Sequence, residues 1–184
     1  MSGIGTSPVE GRNYGPNRHL IATIIASVQS SSVPTVSPGD VPSATSHTEL
    51  DSHANMVVLG RHAFVFESTG RTCDVRPFAD ELGLASDIPI VDGAIAYDCP
   101  LTMESKILLV RNALHIPSMQ HNLIPPFIMR AGGVVVNDKL KIHCMDPTAD
   151  DHCIIFPGTD FRIHLQLSGI FSYFKSRLPL ADEL

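Results

Sequence analysis

From Thr48 onward, short apolar runs alternate with turn residues, and this pattern limits the folds that the chain can adopt. Met56–Leu59 ends at Gly60, and Phe64–Phe66 ends near Ser68–Gly70. Such runs are rich in β-branched and aromatic residues, which favour strands, and turns about every 8–12 residues are typical of a closed sheet or a sandwich. We therefore predict a mostly β fold. The other predicted strands are Ile88–Val91, Ala94–Tyr97, Lys106–Ile116, Asn122–Ile124, Val134–Val136, Leu140–Ile142, Cys153–Phe156, Phe161–Leu165 and Ile170–Phe174.

One segment predicts a helix. Pro125–Ala131 follows a short strand and is followed by Gly132 and Gly133. Proline suits the first turn of a helix, and glycine suits the position just after the last turn. Because a helix of about two turns is not stable by propensity alone, we expect packing to hold it.

Residues 1–47 differ from the rest of the chain, since 23 of these 47 positions are Ser, Thr, Pro or Gly. Such a segment has too few large apolar side chains to offset the entropy of ordering it. We predict a flexible linker here, and hence a disordered N-terminal tail. The apolar run Leu20–Val28 has two interpretations: it is either an apolar segment within this linker or the hydrophobic core of a signal peptide.

Charge and cysteine usage exclude several function classes. The formal net charge is -6, and no cluster of four or more Lys and Arg occurs, so direct nucleic-acid binding is not expected. No apolar run approaches the roughly 18 residues that span a bilayer, so no membrane association is expected. The spacing of the four cysteines is not that of a small secreted scaffold, and we expect reduced thiols in a cytoplasmic protein.

The sharpest local feature is the segment from Glu49 to Gly60. An apolar residue leads into Asp51, small or polar residues follow, and a second apolar run ends at glycine. This pattern predicts a strand, a tight loop that presents one carboxylate, and a returning strand. The alternative interpretation is an aspartate in an ordinary surface turn.

A second feature lies some 60 residues downstream: Ile107–Pro117, then Asn122–Ile124, the predicted helix, and Gly133 before Val134–Val136. Taken together with Leu50–Ala54, which reads Leu-Asp-Ser-His-Ala, it resembles the protease region of copia-type retrotransposon polyproteins. In that family an Asp-Ser/Thr-Gly-Ala loop is followed by a pattern like Leu-x-x-Val-Leu-Tyr-Val-Pro and then by Asn-Leu-Leu-Ser. The resemblance covers about residues 48–145. It implies a linker over 1–47, a protease domain over 48–145, and a β extension or linker toward an integrase over 146–184.

The resemblance implies a small closed, retropepsin-like acid-protease barrel with one short helix. It also implies an aspartic endopeptidase that processes its own polyprotein and needs no cofactor and no metal. Such enzymes hold two carboxylates about 3 Å apart that share one proton. Because the chain offers one such loop, the resemblance implies a homodimer in which Asp51 meets Asp51 of a second copy.

The other site residues are also implied by the resemblance. Ser52, His53 and Ala54 complete the loop. A substrate-covering flap is expected over Phe78–Ile90, with Leu82, Gly83 and Leu84 near its tip. Asn122, Leu123 and Ile124 are expected to run beside the loop.

Two residues depart from the family pattern. Most relatives have glycine at the position of His53, and retropepsins commonly have glycine at that of Pro125. Three interpretations stay open for His53: a variant whose ring points outward, a copy that no longer cleaves, or a hydrogen-bonded pair with Asp51 that has no catalytic meaning. The second leads to an alternative function, a catalytically inactive retroelement-derived β-barrel that serves as an interaction or dimerisation module. A third candidate function is a zinc-binding structural domain. Its ligands would come from the pairs His143–Cys144 and His152–Cys153, since zinc binds these ligand types.

Overall fold

A computed structural model describes residues 25–27, 46–76 and 83–184. The predicted mostly β composition is confirmed, and these residues contain one short α-helix as predicted, α1 (Pro126–Ala131). The strands are β1 (Ile25–Ser27), β2 (Ser46–Leu50), β3 (Val58–Leu59), β4 (Phe64–Val75), β5 (Ala85–Asp98), β6 (Ser105–His115), β7 (Asn122–Ile124), β8 (Val135–Asn137), β9 (Cys153–Ile155), β10 (Arg162–His164), β11 (Gln166–Ser168) and β12 (Phe171–Ser176).

The main sheet has nine strands in the order β11-β12-β2-β7-β3-β6-β5-β4, with β1 paired to β6. Strand β7 lies between β2 and β3, parallel to the first and antiparallel to the second. The three long strands β4, β5 and β6 are joined in antiparallel order. The sheet therefore places the two strands that flank Asp51 on either side of a third strand from much later in the chain.

This sheet is not closed into the barrel that the sequence predicts. Strand β4 covers one edge of β5 from Ala85 to Ala94, so this edge is left uncovered only near the end of β5. There it meets the chain just after β12 at one isolated bridge between Ala96 and Arg177, whose two backbone hydrogen bonds measure 2.9 and 3.0 Å. A single bridge brings the two parts of the sheet together without making a continuous ladder.

The main core lies between the large sheet and a second sheet of three strands in the order β10-β9-β8. Ile95 and Leu108 of the large sheet, Ile154 and Ile163 of the small sheet, and Met129 of α1 are all buried in one cluster. Burial of apolar surface of this kind is the dominant favourable contribution to folding. The small sheet and α1 thus cover one face of the large sheet.

Helix α1 begins directly after Pro125 and ends in a motif with a left-handed glycine. The N–H of Val134 donates to the Met129 carbonyl and that of Gly133 to the Arg130 carbonyl, both at 3.0 Å, and Gly133 has φ +83. These two bonds satisfy carbonyls that the end of a helix would otherwise leave unpaired. No helix in the described part of the chain is long and apolar enough to cross a membrane.

Two local predictions are wrong and one strand was missed, each for lack of information about sheet partners. Leu140–Ile142 is not a strand, because Lys141–His143 forms a short 3-10 helix in which Ile142 is 81% exposed. The chain does not turn at Ser68–Gly70; β4 continues through a register shift between Ser68 and Arg71. Strand β11 was not predicted, since its three residues are all exposed and form too short a run to show a strand pattern. A sequence pattern reports burial, and these segments gain or lose strand structure through neighbours instead.

The C-terminal segment is fixed to the main sheet by Arg177. Its guanidinium donates to Asp98 at 2.8 Å and to Glu183 at 2.7 Å, and both carboxylates are bound through two oxygens. The hydrogen bonds from Arg177 lower the pKa of Glu183, which is buried. At Asp98, burial raises the pKa, but hydrogen bonds from Arg177 and Ser105 lower it by more, so that the pKa lies below its usual value. Paired, bidentate contacts of this type are the strong class of ion pair.

Glu183→Gln is expected to lower the free energy of unfolding at about pH 6 by about 1–3 kcal/mol, because Arg177 loses a charged partner. Since the folded-state pKa of Glu183 lies below its usual value of 4.5, its contribution is complete above that pH and is lost as the pH falls through the folded pKa. Urea unfolding between about pH 6 and about pH 3 should show the variant and the wild type converging in acid. Glu67→Gln, at an exposed position of β4, is the control, and a constant difference across this range would contradict the prediction.

Candidate active site

Asp51 lies at the end of β2, where the chain leaves the sheet. Its N–H donates to the Ile124 carbonyl at 3.2 Å, which continues the parallel ladder between Leu50 and Ile124. The loop that follows returns to the sheet at Val58, on the other side of β7. Asp51 is therefore held by backbone pairing on a rigid element, with its side chain 29% exposed.

The loop after Asp51 is closed by a backbone contact of His53. The N–H of His53 donates to Asp51 Oδ1 at 2.8 Å, and this bond fixes the orientation of the carboxylate. The ring of His53 is 94% exposed, and its Nδ1 lies 3.7 Å from the same oxygen, beyond hydrogen-bonding distance. The ring therefore points outward, and the interpretation of His53 as a side-chain hydrogen-bonded partner of Asp51 is wrong.

His53 adopts a backbone conformation that any residue can take. In the described part of the chain, the non-glycine residues with positive φ are Asp87, Met103, Asn112 and His152, so His53 does not occupy the left-handed region that favours glycine. The loop therefore forms without the glycine found in the family pattern. Ser52 is exposed, with Oγ 3.5 Å from His53 Nδ1, and Ala54 is half-buried.

His53→Gly is expected to change the free energy of unfolding by no more than about 1 kcal/mol, in the unfavourable direction through the entropy of the unfolded chain. The exposed ring makes little contact, and the hydrogen bond to Asp51 comes from the backbone. Chemical denaturation of the two proteins checks this, with His53→Ala as the control that keeps a Cβ. A loss of several kcal/mol would mean that the ring has a structural role.

A buried network of polar side chains, centred on Asn122, joins β2 and β7 next to the Asp51 loop. Asn122, which is 0% exposed, accepts the Gly60 N–H at 2.9 Å and donates to Thr48 Oγ1 at 3.1 Å and to Ser176 Oγ at 3.4 Å. The two hydroxyls lie 2.9 Å apart. The sequence pattern predicted that Asn122 runs beside the loop but not that it joins four segments of the chain.

The hairpin of β4 and β5 is longer than the predicted flap. Its arms are Phe64–Val75 and Ala85–Asp98, so the connection between them spans residues 76–84. Of the predicted tip residues, Leu82 lies outside the described residues, while Gly83 has φ +74 and Leu84 is 53% exposed. Glycine is the residue that reaches this φ without strain.

A second apolar cluster connects this hairpin with the Asp51 loop. Val58, Ile90 and Leu114 are buried in it, and partly buried side chains surround them. The surrounding residues are Met56, Cys73, Val75, Ile88, Ile116, Met119 and Leu123. Met56 belongs to the loop, so an apolar surface runs from the loop onto the hairpin. The sequence signal for this surface is the alternation of apolar side chains at positions 73 and 75 and at positions 88 and 90, of which only the second pair was predicted to lie in a strand.

The residues proposed for zinc are not brought together. No group of three or more His, Cys, Asp or Glu side chains able to hold a metal ion occurs in residues 46–76 and 83–184. Cys153 Sγ instead contacts the Asp150 carbonyl at 2.9 Å, and His152 Nε2 lies 3.0 Å from Ser172 Oγ. All four cysteines are free thiols.

A cavity of about 560 Å³ lies away from the Asp51 loop, between the β5–β6 turn and the small sheet. Four of its charged lining residues form two ion pairs, Lys106 with Glu104 at 2.9 Å and Arg162 with Asp150 at 2.7 Å. No residue of the loop lines it. The cavity and the loop are therefore separate features.

Comparison of the chain with protein-family models, with curated proteins and with solved structures gives no match in any of the three.

Proposed function

We propose that this protein is a retrotransposon-type aspartic endopeptidase that cleaves its own polyprotein as a homodimer. The observation that carries the proposal is the partly exposed Asp51 carboxylate, which the His53 N–H orients at 2.8 Å in a loop between β2 and β3. The sequence motif supports the same assignment, since Asp51 stands where the copia-type pattern has its aspartate.

The chemistry follows from pairing this carboxylate with its copy. Two carboxylates about 3 Å apart cannot both ionise, so together they hold one proton. The ionised member takes a proton from a water molecule as that water attacks the scissile carbonyl carbon. The protonated member donates its proton to the carbonyl oxygen, and collapse of the tetrahedral intermediate then breaks the C–N bond as the nitrogen is protonated.

The remaining residues take supporting roles in this proposal. Ser52 forms hydrogen bonds across the dimer axis, and the small side chain of Ala54 leaves room for the substrate. The β4–β5 hairpin covers the bound peptide, and Gly83 supplies the conformational freedom that a moving tip needs. Asn122, Leu123 and Ile124 hold the loop in register with β2.

A retropepsin-like domain is part of the same proposal. Two features support it: β7 is interleaved between the strands that flank the aspartate, and a long hairpin follows the second of these strands. In this assignment, the bridge between Ala96 and Arg177 is where the open sheet comes nearest to a barrel.

The test is cleavage of a diverse peptide library by the purified protein between about pH 4 and about pH 7, the range over which a carboxyl dyad exchanges its shared proton. Asp51→Asn is assayed beside the wild type. Cleavage that is lost in the variant supports the proposal. A folded, dimeric wild type that cleaves nothing would overturn it and favour the inactive interaction module.

A further inference from the structure

The hairpin of β11 and β12 ends in apolar side chains that the rest of the described chain leaves exposed. Ile170, at the turn, is 87% exposed, and Phe171, the first residue of β12, is 52% exposed. Leu167 on β11 adds a side chain that is 43% exposed. Leu167 is opposite Ser172 and so lies on the other face of the hairpin from Phe171, which leaves Ile170 and Phe171 as the adjacent pair at its end. Exposed apolar groups that lie together mark interaction surfaces.

The strand register places this end of the hairpin beside Asp51. In the antiparallel pairing of β12 with β2, Tyr173 is opposite Glu49 and Phe174 is opposite Thr48. Continued by two residues, the same register puts Phe171 opposite Asp51, with Ile170 one residue beyond. The observed ladder ends at Tyr173 and Glu49, and Phe171 and Asp51 each lie two residues beyond this last pair, at the same end of the sheet. If the register continues, their backbones are about one strand spacing, about 4.8 Å, apart.

We propose that Ile170 and Phe171 form the surface on which a second copy of this chain docks. This proposal rests on the proposed function. Two Asp51 carboxylates about 3 Å apart place the two-fold axis beside Asp51. Groups within one strand spacing of Asp51 at the same end of the sheet then lie at the interface. Burying apolar side chains there supplies association energy that two like-charged loops lack.

The geometry distinguishes the end of the hairpin from its edge. Strand β11 pairs only with β12 among the described strands, so its outer edge offers backbone groups for pairing with another chain. A dimer paired edge to edge through β11 would separate the two copies of β2 by five strand spacings, about 24 Å in a flat sheet. That distance excludes a shared proton, so a dimer that shares one does not form through the edge of β11.

The first measurement is the dimer dissociation constant of the full chain by analytical ultracentrifugation. It uses the Asp51→Asn background, so that cleavage does not affect the result. Replacing both Ile170 and Phe171 with serine is expected to weaken the dimer at least about tenfold. The matched control replaces Ile142 and Met145 with serine; they are 81% and 105% exposed on and near the 3-10 helix. This control is expected to dimerise like the parent.

An unchanged dissociation constant in the Ile170 and Phe171 variant, or a parent chain that forms no dimer, would overturn the docking surface. Thermal unfolding of each variant shows whether the fold is kept. The second measurement is cleavage by two full chains joined through a Gly/Ser linker, with Asp51 restored. Because the linker supplies a high effective concentration, it is expected to rescue cleavage in the Ile170 and Phe171 variant. If the unlinked variant dimerises normally and cleaves, the docking surface fails while the protease function stands.

Discussion

Asp51→Asn is expected to reduce kcat/KM for peptide cleavage by about 10³-fold or more. Asparagine keeps the shape of the side chain and still accepts the His53 N–H through its amide oxygen, so the loop keeps its geometry. It cannot take a proton from water, and it cannot share one with a second carboxylate. The loss should therefore appear in kcat, with little change in the free energy of unfolding.

Mixing the two proteins gives a test that a monomeric enzyme would fail. At equal amounts and random exchange, about a quarter of the dimers keep both carboxylates. If one carboxylate per dimer is insufficient, activity per wild-type chain falls to about half of that without the variant. Activity that is unaffected by added Asp51→Asn would contradict a shared site, and full activity in the variant alone would remove Asp51 from the reaction.

The second large effect is expected from Asn122→Leu, which should lower the free energy of unfolding by about 2–4 kcal/mol. Leucine has a similar volume but cannot accept the Gly60 N–H, which lies in a buried position. The donors to Thr48 and Ser176 are lost as well, although these two hydroxyls can still bond to each other. A buried N–H without an acceptor has the full desolvation penalty.

Gly60 cannot easily move to find another partner. A Cβ at this position would lie 2.7 Å from the carbonyl oxygens of both Met119 and His121, so the backbone of the segment before β7 is packed directly against it. Because of this close contact, we expect the backbone of Gly60 to shift little when Asn122 is replaced by leucine. The loss of stability should also loosen the ladder that holds Asp51.

Asn137→Leu is the matched control for this prediction. Its amide donates to the Asp150 carbonyl at 2.7 Å, but at an exposed position where water can replace the contact. We expect a change below about 1 kcal/mol in urea unfolding. Equal effects of the two substitutions would show that the network around Asn122 contributes no more than a surface hydrogen bond.

The sequence by itself determined the features that depend on neighbours along the chain. Runs of β-branched residues make strands because their side chains fit a pleated surface, and this was enough for β6 and β9. The helix followed from Pro125 before it and Gly133 after it, since φ preferences are local. The position of Asp51 in a loop between two strands was predicted for the same reason.

The tertiary structure decided which strands are neighbours, and with them the environment of Asp51. The parallel pairing of β2 with β7, about 70 residues apart in the chain, places Asn122 among partners from three other segments, at Thr48, Gly60 and Ser176. The same pairing choices put β12 beside β2, with Tyr173 opposite Glu49, although residues 146–184 read as a separate extension. Side-chain alternation fixes which face of a strand is buried, but backbone hydrogen-bonding groups are identical in every strand. Only the packing of the whole chain selects their partners.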